Sequence, residues 1–305
     1  MTETAPEPPR EPLPSGPGRS TAYPTARAAD RPGPAPRDGN RRPAHRVRAT
    51  ARPAAPTLVA VAHGSRDPRA LGTALDLLDR VRELRPRLDV RLGHIELNQP
   101  LLPATLTAVG RGEAVLVPLL LGRGHHVRHD LPRAAGAASA LRTSVAAPLG
   151  PHPLLVETLY ERLTEAGWQD TDGTRRDTAV VLAAAGSRDP DSAADARRTA
   201  AMLSDRLGGT PVVPAYTSAT APDVPTALRA LAARGRHRAA VAAYFTAPGR
   251  FATTAAAAAP WIAAAPLGAH PAMARLVLHR YDRALSGAAS ARAARPHGEL
   301  LRAAP

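Results

Sequence analysis

LVAVAHGSRDP (58–68) recurs as VVLAAAGSRDP (180–190), with Ala185 standing where His63 stood. Each copy is a short apolar run entering a glycine-containing loop, the pattern of a strand buried on both faces of a parallel sheet. Two further segments repeat in the same order. VLVPLLLGRGHHVRHDLP (115–132) is echoed by AVAAYFTAPGRFATTAAAA (240–258), where Phe251 falls opposite His126. APLGPHP (147–153) then returns as APLGAHP (265–271). The chain is therefore an internal duplication with an offset of about 120 residues, enough for one ordinary domain per copy. The second copy keeps its glycines and prolines and drops two metal-capable side chains.

Strand and helix patterns alternate outward from these anchors. In the first copy strands are expected at 57–62, 89–97, 114–122 and 144–150. Leu71, Leu75, Leu78, Val81 and Leu84 recur at helical spacing after the first of them. Further helices are expected at 100–110, from about Val127, and at 153–167. The second copy repeats the series at 179–184, 192–207, 211–217, 224–235, 239–246, 250–259, 261–267 and 270–285. Strand–helix repeated four times predicts an α/β fold of two tandem, duplicated domains, each a four-stranded parallel sheet flanked by helices. The expected organisation is an N-terminal extension at 1–56, a first lobe at 57–167, a linker at 168–178, a second lobe at 179–285 and a flexible tail at 286–305. The extension holds 13 prolines and no apolar period, a composition that reads as disordered.

The formal charge is +14, and all 40 basic residues are arginine. With alanine and proline so abundant, this reads as a genomic bias rather than a nucleic-acid footprint, and the extension alone holds 10 Arg against 5 acids. Few aromatics also argue against stacking on single strands. The remaining surplus favours an anionic small-molecule ligand. The absence of cysteine excludes disulfides, thiolate metal sites and iron–sulfur clusters, so any metal must be held by His, Asp or Glu. No apolar run approaches the ~20 residues of a membrane span, and no secretory leader is visible. A cytoplasmic protein with no nucleic-acid or membrane partner is expected.

Ligands of parallel α/β sheets bind beyond the carboxyl ends of the strands. That rule selects His63 after the first strand, Glu96 near the end of the second, and His125 and His126 after the third. Imidazole and carboxylate suit iron, cobalt, nickel and zinc. Each residue also has a plainer reading. His63 alone would serve as a loop hydrogen-bonding group, and Glu96 as the partner of an arginine. His125 and His129, four apart, form a possible helical pair. His94 reads as strand packing, and His152 and His270, present in both copies, as structural. Ser65 has no GxSxG surroundings, and its counterpart Ser187 survives in the copy that lost its histidine.

HGSRDP (63–68), GHIELNQPLL (93–102) and VPLLLGRGHHVRHDLP (117–132) together resemble the signature segments of the sirohydrochlorin chelatases, class II tetrapyrrole chelatases, across about residues 57–285. The resemblance implies a two-lobe, haem-ferrochelatase-like fold and a lyase that inserts a divalent metal into sirohydrochlorin with release of two protons. Fe²⁺, giving siroheme, is the first expectation. The alternatives are a cobaltochelatase of cobalamin biosynthesis and a non-catalytic tetrapyrrole or metal carrier. It implies that His63, His126 and Glu96 handle metal and protons, with Asp130, Leu131 and Pro132 completing the second histidine's motif. The extra His125 leaves the ligand open between His125 and His126. Arg66, Arg123 and Arg128 are expected to contact the macrocycle's carboxylates, because guanidinium pairs with them bidentately. No permanently bound cofactor is expected, since Fe²⁺ or Co²⁺ is a substrate. The expected assembly is a monomer whose lobes form an internal pseudo-dimer.

Overall fold

The computed structural model describes residues 55–293, apart from 219. The expected disordered extension, except its last two residues, and the tail beyond 293 lie outside the described residues. The strands are β1 (Thr57–Ala62), β2 (Val90–His94), β3 (Gly112–Pro118), β4 (Leu141–Val145), β5 (Thr178–Ala184), β6 (Val212–Tyr216) and β7 (Arg238–Tyr244). The helices are α1 (Pro68–Leu84), α2 (Leu102–Val109), α3 (Leu131–Ala137), α4 (Pro153–Glu165), α5 (Pro190–Arg206), α6 (Val224–Ala232), α7 (Arg250–Ala257) and α8 (Pro271–Ala293). Two all-parallel sheets result, in the orders β2-β1-β3-β4 and β6-β5-β7.

The second sheet thus has three strands among the described residues, not the expected four. Its fourth position is reduced to a single bridge between Val241 and Ala263. Aligning APLGPHP with APLGAHP sets Pro260 opposite Arg142, which pairs with Glu113 in the first sheet. Proline has no N–H for the ladder, so the pairing loses a donor there. In the first copy, β4 ends at Val145, before the expected 144–150 run is half complete. Pro148 interrupts the backbone donors, and residues 146–149 continue as a loop tied to Leu116 and Leu120 carbonyls.

Strand residues alternate between two cores, as a period of two requires. Leu58 and Ala60 of β1, with Val180 and Leu182 of β5, point into one shared interior. Val59 and Val61 face α2 and α3 on the first sheet's outer side, while Val181 and Ala183 face α6 and α7 on the second's. Helices α1, α4, α5 and α8 therefore lie between the two sheets. The closing helices are exchanged: α4 packs against β7, and α8 packs against β3, β4 and α1. Bidentate pairs fix them, Arg85 to Asp282 at 2.8 and 2.6 Å and Arg206 to Glu157 at 3.0 and 3.2 Å.

The described residues consequently belong to one compact unit. The stretch expected as a linker is packed rather than loose. Trp168 is buried and lies 5.8 Å from Trp261, and a capping box closes a 3-10 turn at Asp170–Thr174. Helix α8 also runs eight residues past the expected start of the flexible tail. Its alanine-rich end favours helix intrinsically, and Ser286 and Ser290 each hydrogen-bond the carbonyl four residues back.

Candidate active site

The two GSRDP loops are superimposable in their bonding. Gly64 (φ +103°) and Gly186 (φ +89°) adopt left-handed geometry, and a Cβ on either would run into a carbonyl oxygen, Glu96 O or Ser218 O. The N–H of Glu96 donates to His63 O at 3.0 Å, and that of Ser218 to Ala185 O at 3.0 Å. The Ser65 N–H donates to Asn98 Oδ1, and the Ser187 N–H to Thr220 Oγ1. Both serine Oγ atoms accept the N–H of the aspartate two residues on, at 3.1 Å. Asp67 and Asp189 then cap α1 and α5. The shared letters are loop and cap requirements, and Ser65 is occupied by them. What differs is the side chain each loop presents: imidazole in one copy, methyl in the other.

Glu96 lies beyond the strand, since β2 stops at His94; the following turn lifts its carboxylate to 3.5 Å from His63 Nδ1. His126 enters from the loop after β3. A π-helical turn at His126–Asp130, closed by the Leu131 N–H on His126 O, leads into α3. Such widened turns let a helix re-aim a side chain, and they recur at functional sites. The His63 and His126 rings meet edge to face with centroids 4.8 Å apart.

His126 Nδ1 lies 2.7 Å from Asp130 Oδ2. The hydrogen bond from His126 is the leading reason that the Asp130 carboxyl ionises below the usual carboxylate range. A carboxylate accepts, so Nδ1 carries the proton and Nε2 keeps a lone pair. His63 Nδ1 similarly faces Gly64 O at 3.3 Å. His63, His126 and Glu96 retain side-chain exposures of 44, 34 and 53 %, so all three are reachable by a ligand. Among the described residues no three His, Asp or Glu side chains already close around one point. The three are neighbours that an arriving ion would have to draw together.

His63 and His126 border a cavity of about 680 Å³ between the two copies, walled opposite by Ala185, Tyr216, Pro248 and Phe251, and Glu96 stands beside His63. Phe251 occupies the place corresponding to His126, so the second copy contributes surface without nitrogen donors. Arg66 lines this cavity, and so does Arg250, which the sequence reading passed over.

Arg123 lines the cavity too, while Arg128 does not, and both are paired with carboxylates. Arg123 binds the buried Asp195 through its backbone N–H and its guanidinium, at 3.0, 3.0 and 2.7 Å. Burial by itself would raise the Asp195 pKa, but the Arg123 bonds outweigh it and hold the carboxyl low. Arg128 pairs with Asp189 at 2.8 Å and with Asp191. These arginines fasten the His126 loop to α5 of the other copy, so a substrate carboxylate would have to compete with aspartates already bound to them. Of the remaining histidines, His94 is buried with Nδ1 3.2 Å from Pro100 O. His152 and His270 accept the first backbone N–H groups of α4 and α8 at 3.2 Å. His125 is 74 % exposed and stands away from His63, its ring 4.7 Å from that of His129.

A family model described as CbiX matches this chain twice, over residues 57–166 and 179–284. The sirohydrochlorin ferrochelatase of Bacillus subtilis (strain 168) is 28% identical over 170 residues, covering 53% of this chain and 63% of that protein. The sirohydrochlorin cobaltochelatase of Priestia megaterium is 25% identical over 193 residues, covering 61% and 62%. The chain thus spans less than two thirds of these relatives' length. Among solved structures, SirB from Bacillus subtilis with Fe³⁺ matches with a TM-score of 0.62 at 22% identity, over 77% of this chain and 97% of that one. A CbiX described as the terminal enzyme for biosynthesis of siroheme in denitrifying bacteria gives 0.59 at 24% identity, over 75% and 99%. At these identities the structural likeness shows the fold.

Proposed function

The chain belongs to the CbiX family, and on that premise we propose that it inserts a divalent metal into sirohydrochlorin. The observation that carries the reading is the His63–His126 pair, with Glu96 beside it, facing an open cavity whose opposite wall has lost both histidines. Two imidazoles and one carboxylate accept Fe²⁺ or Co²⁺ without retaining either as a closed four-ligand site does. Fe²⁺, giving siroheme, is the proposed substrate, and Co²⁺ the alternative. Both kinds of relative match this chain.

The residues divide the reaction as follows. His126 Nε2, kept as an acceptor by Asp130, presents the metal or takes a proton. His63 does the same from the facing side, and Glu96 draws charge toward the pair. The metal replaces two pyrrole N–H protons, which pass to the imidazoles and then to water; an imidazole nitrogen can hold either a metal or a proton. The macrocycle lies against the apolar wall at Phe251 and Pro248, with Arg66 and Arg250 available to its peripheral carboxylates. The protein acts within the cell interior and as a monomer in this reading, its second copy serving as the partner wall.

The test is anaerobic addition of excess sirohydrochlorin with Fe²⁺ or Co²⁺, following macrocycle absorbance. Conversion of many equivalents per chain above the uncatalysed rate is expected with at least one metal. Conversion or binding that stops at one equivalent would replace the enzyme with a carrier.

A further inference from the structure

At the edge of the cavity lies a second group of nitrogen donors that the proposed reaction does not use. His125 and His129 are four residues apart, and the π-helical turn brings their rings to 4.7 Å between centroids with a 40° tilt. Both are exposed, and His125 also lines the cavity. His125 Nε2 lies 4.0 Å from Asp130 Oδ1, whose other oxygen holds His126. We propose that His125 and His129 form a docking site for a divalent cation at the cavity mouth, loading the ion before it reaches His126.

Two imidazoles bound to one ion at 2.0–2.1 Å place their nitrogens roughly 3 Å apart, within reach of rings already this close. Asp130 Oδ1 supplies a negative charge on the same side. Arg128, in the same turn, is neutralised by Asp189 and Asp191; Arg133 acts on Asp130 as an opposing charge. The donors then form a continuous series from His125 to Glu96. His125 and His126 have centroids 6.2 Å apart, His126 and His63 4.8 Å, and Glu96 is next to His63 at 3.5 Å. The second copy has Arg250 and Thr254 at the corresponding positions, so the site belongs to the first copy alone.

The proposal rests on the chelatase reading for its purpose and not for its existence, and the experiment separates the two. The full chain is titrated with Co²⁺ without macrocycle, by calorimetry and visible absorbance, beside a His125→Ala/His129→Ala variant whose changed side chains are exposed. The parent is expected to bind two equivalents and the variant one. In the insertion assay the variant's KM for metal should rise on the order of tenfold or more, as for loss of a paired ligand, with a much smaller change in kcat. Two equivalents in the parent and one in the variant, with no insertion by either, would keep the site and remove the chelatase reading. Insertion by both, with equal metal stoichiometry and equal metal KM, would overturn the site and leave the chelatase reading standing.

Discussion

Asp130 Oδ2, 2.7 Å from His126 Nδ1, determines which nitrogen of that ring faces the cavity. Asp130→Asn keeps the shape and loses the charge-assisted acceptor. Insertion activity should fall by roughly 10–100-fold while thermal stability changes little, the usual cost of removing a ligand's orienting carboxylate. An unchanged rate would show that the ring is oriented by other means. Gly64 and Gly186 offer a matched pair with a different readout. Alanine at either forces a left-handed φ and a collision with a carbonyl, so each should cost more than about 2 kcal/mol in denaturant unfolding. Gly64→Ala should also reduce insertion in the surviving folded fraction, whereas Gly186→Ala should not. That His63 and His126 stand together was legible in the sequence because a second copy printed their absence beside them, and Glu96 was placed near them by its position at a strand end. Asp130's role was not, although the motif contained it, since its meaning depends on a turn that widens to π geometry. The engagement of Arg123 and Arg128 was illegible for a plainer reason: the aspartates that bind them lie about sixty to seventy residues away in the other copy.

Elements read well where apolar runs were long and poorly where one proline decided the outcome. Pro260 takes a ladder donor from the fourth position of the second sheet, and Pro148 ends β4 early. No local pattern announces that α4 will cover β7 and α8 will cover β3 and β4, because either sheet presents the same alternating surface. That exchange predicts that residues 57–167 expressed alone will lack a cooperative thermal transition, their inner face missing α8. A sharp, two-state melt of that fragment would refute the packing account. The helix cap at His152 gives a pH dependence. Burial chiefly, then Arg280 and His279, lowers its pKa to about 4. The native ring stays neutral while the unfolded one takes a proton below about 6.5, so stability is lost as pH falls from 6.5 toward 4. Discounted for partial exposure, the loss is on the order of 1 kcal/mol. His152→Asn keeps a cap and should flatten the unfolding midpoint between pH 7 and 5 relative to the parent.

At the scale of the molecule, duplication supplied two equivalent strand-end faces, and the fold turned them toward each other across one cavity. Among the described residues that line it, only those of the first copy carry imidazoles. The second copy fastens the His126 loop by binding Arg123 and Arg128 through Asp189, Asp191 and Asp195, and closes the far wall with Phe251. Among the described residues no helix is long and apolar enough to cross a membrane. A single site made from unequal halves is the central claim, and its most direct test is the initial rate of Fe²⁺ or Co²⁺ insertion into sirohydrochlorin by His63→Ala and by His126→Ala. The account predicts that each rate falls by about 10²-fold or more, the usual weight of a positioned acid–base group, with the fold retained. Near-parental rates in both variants would contradict it.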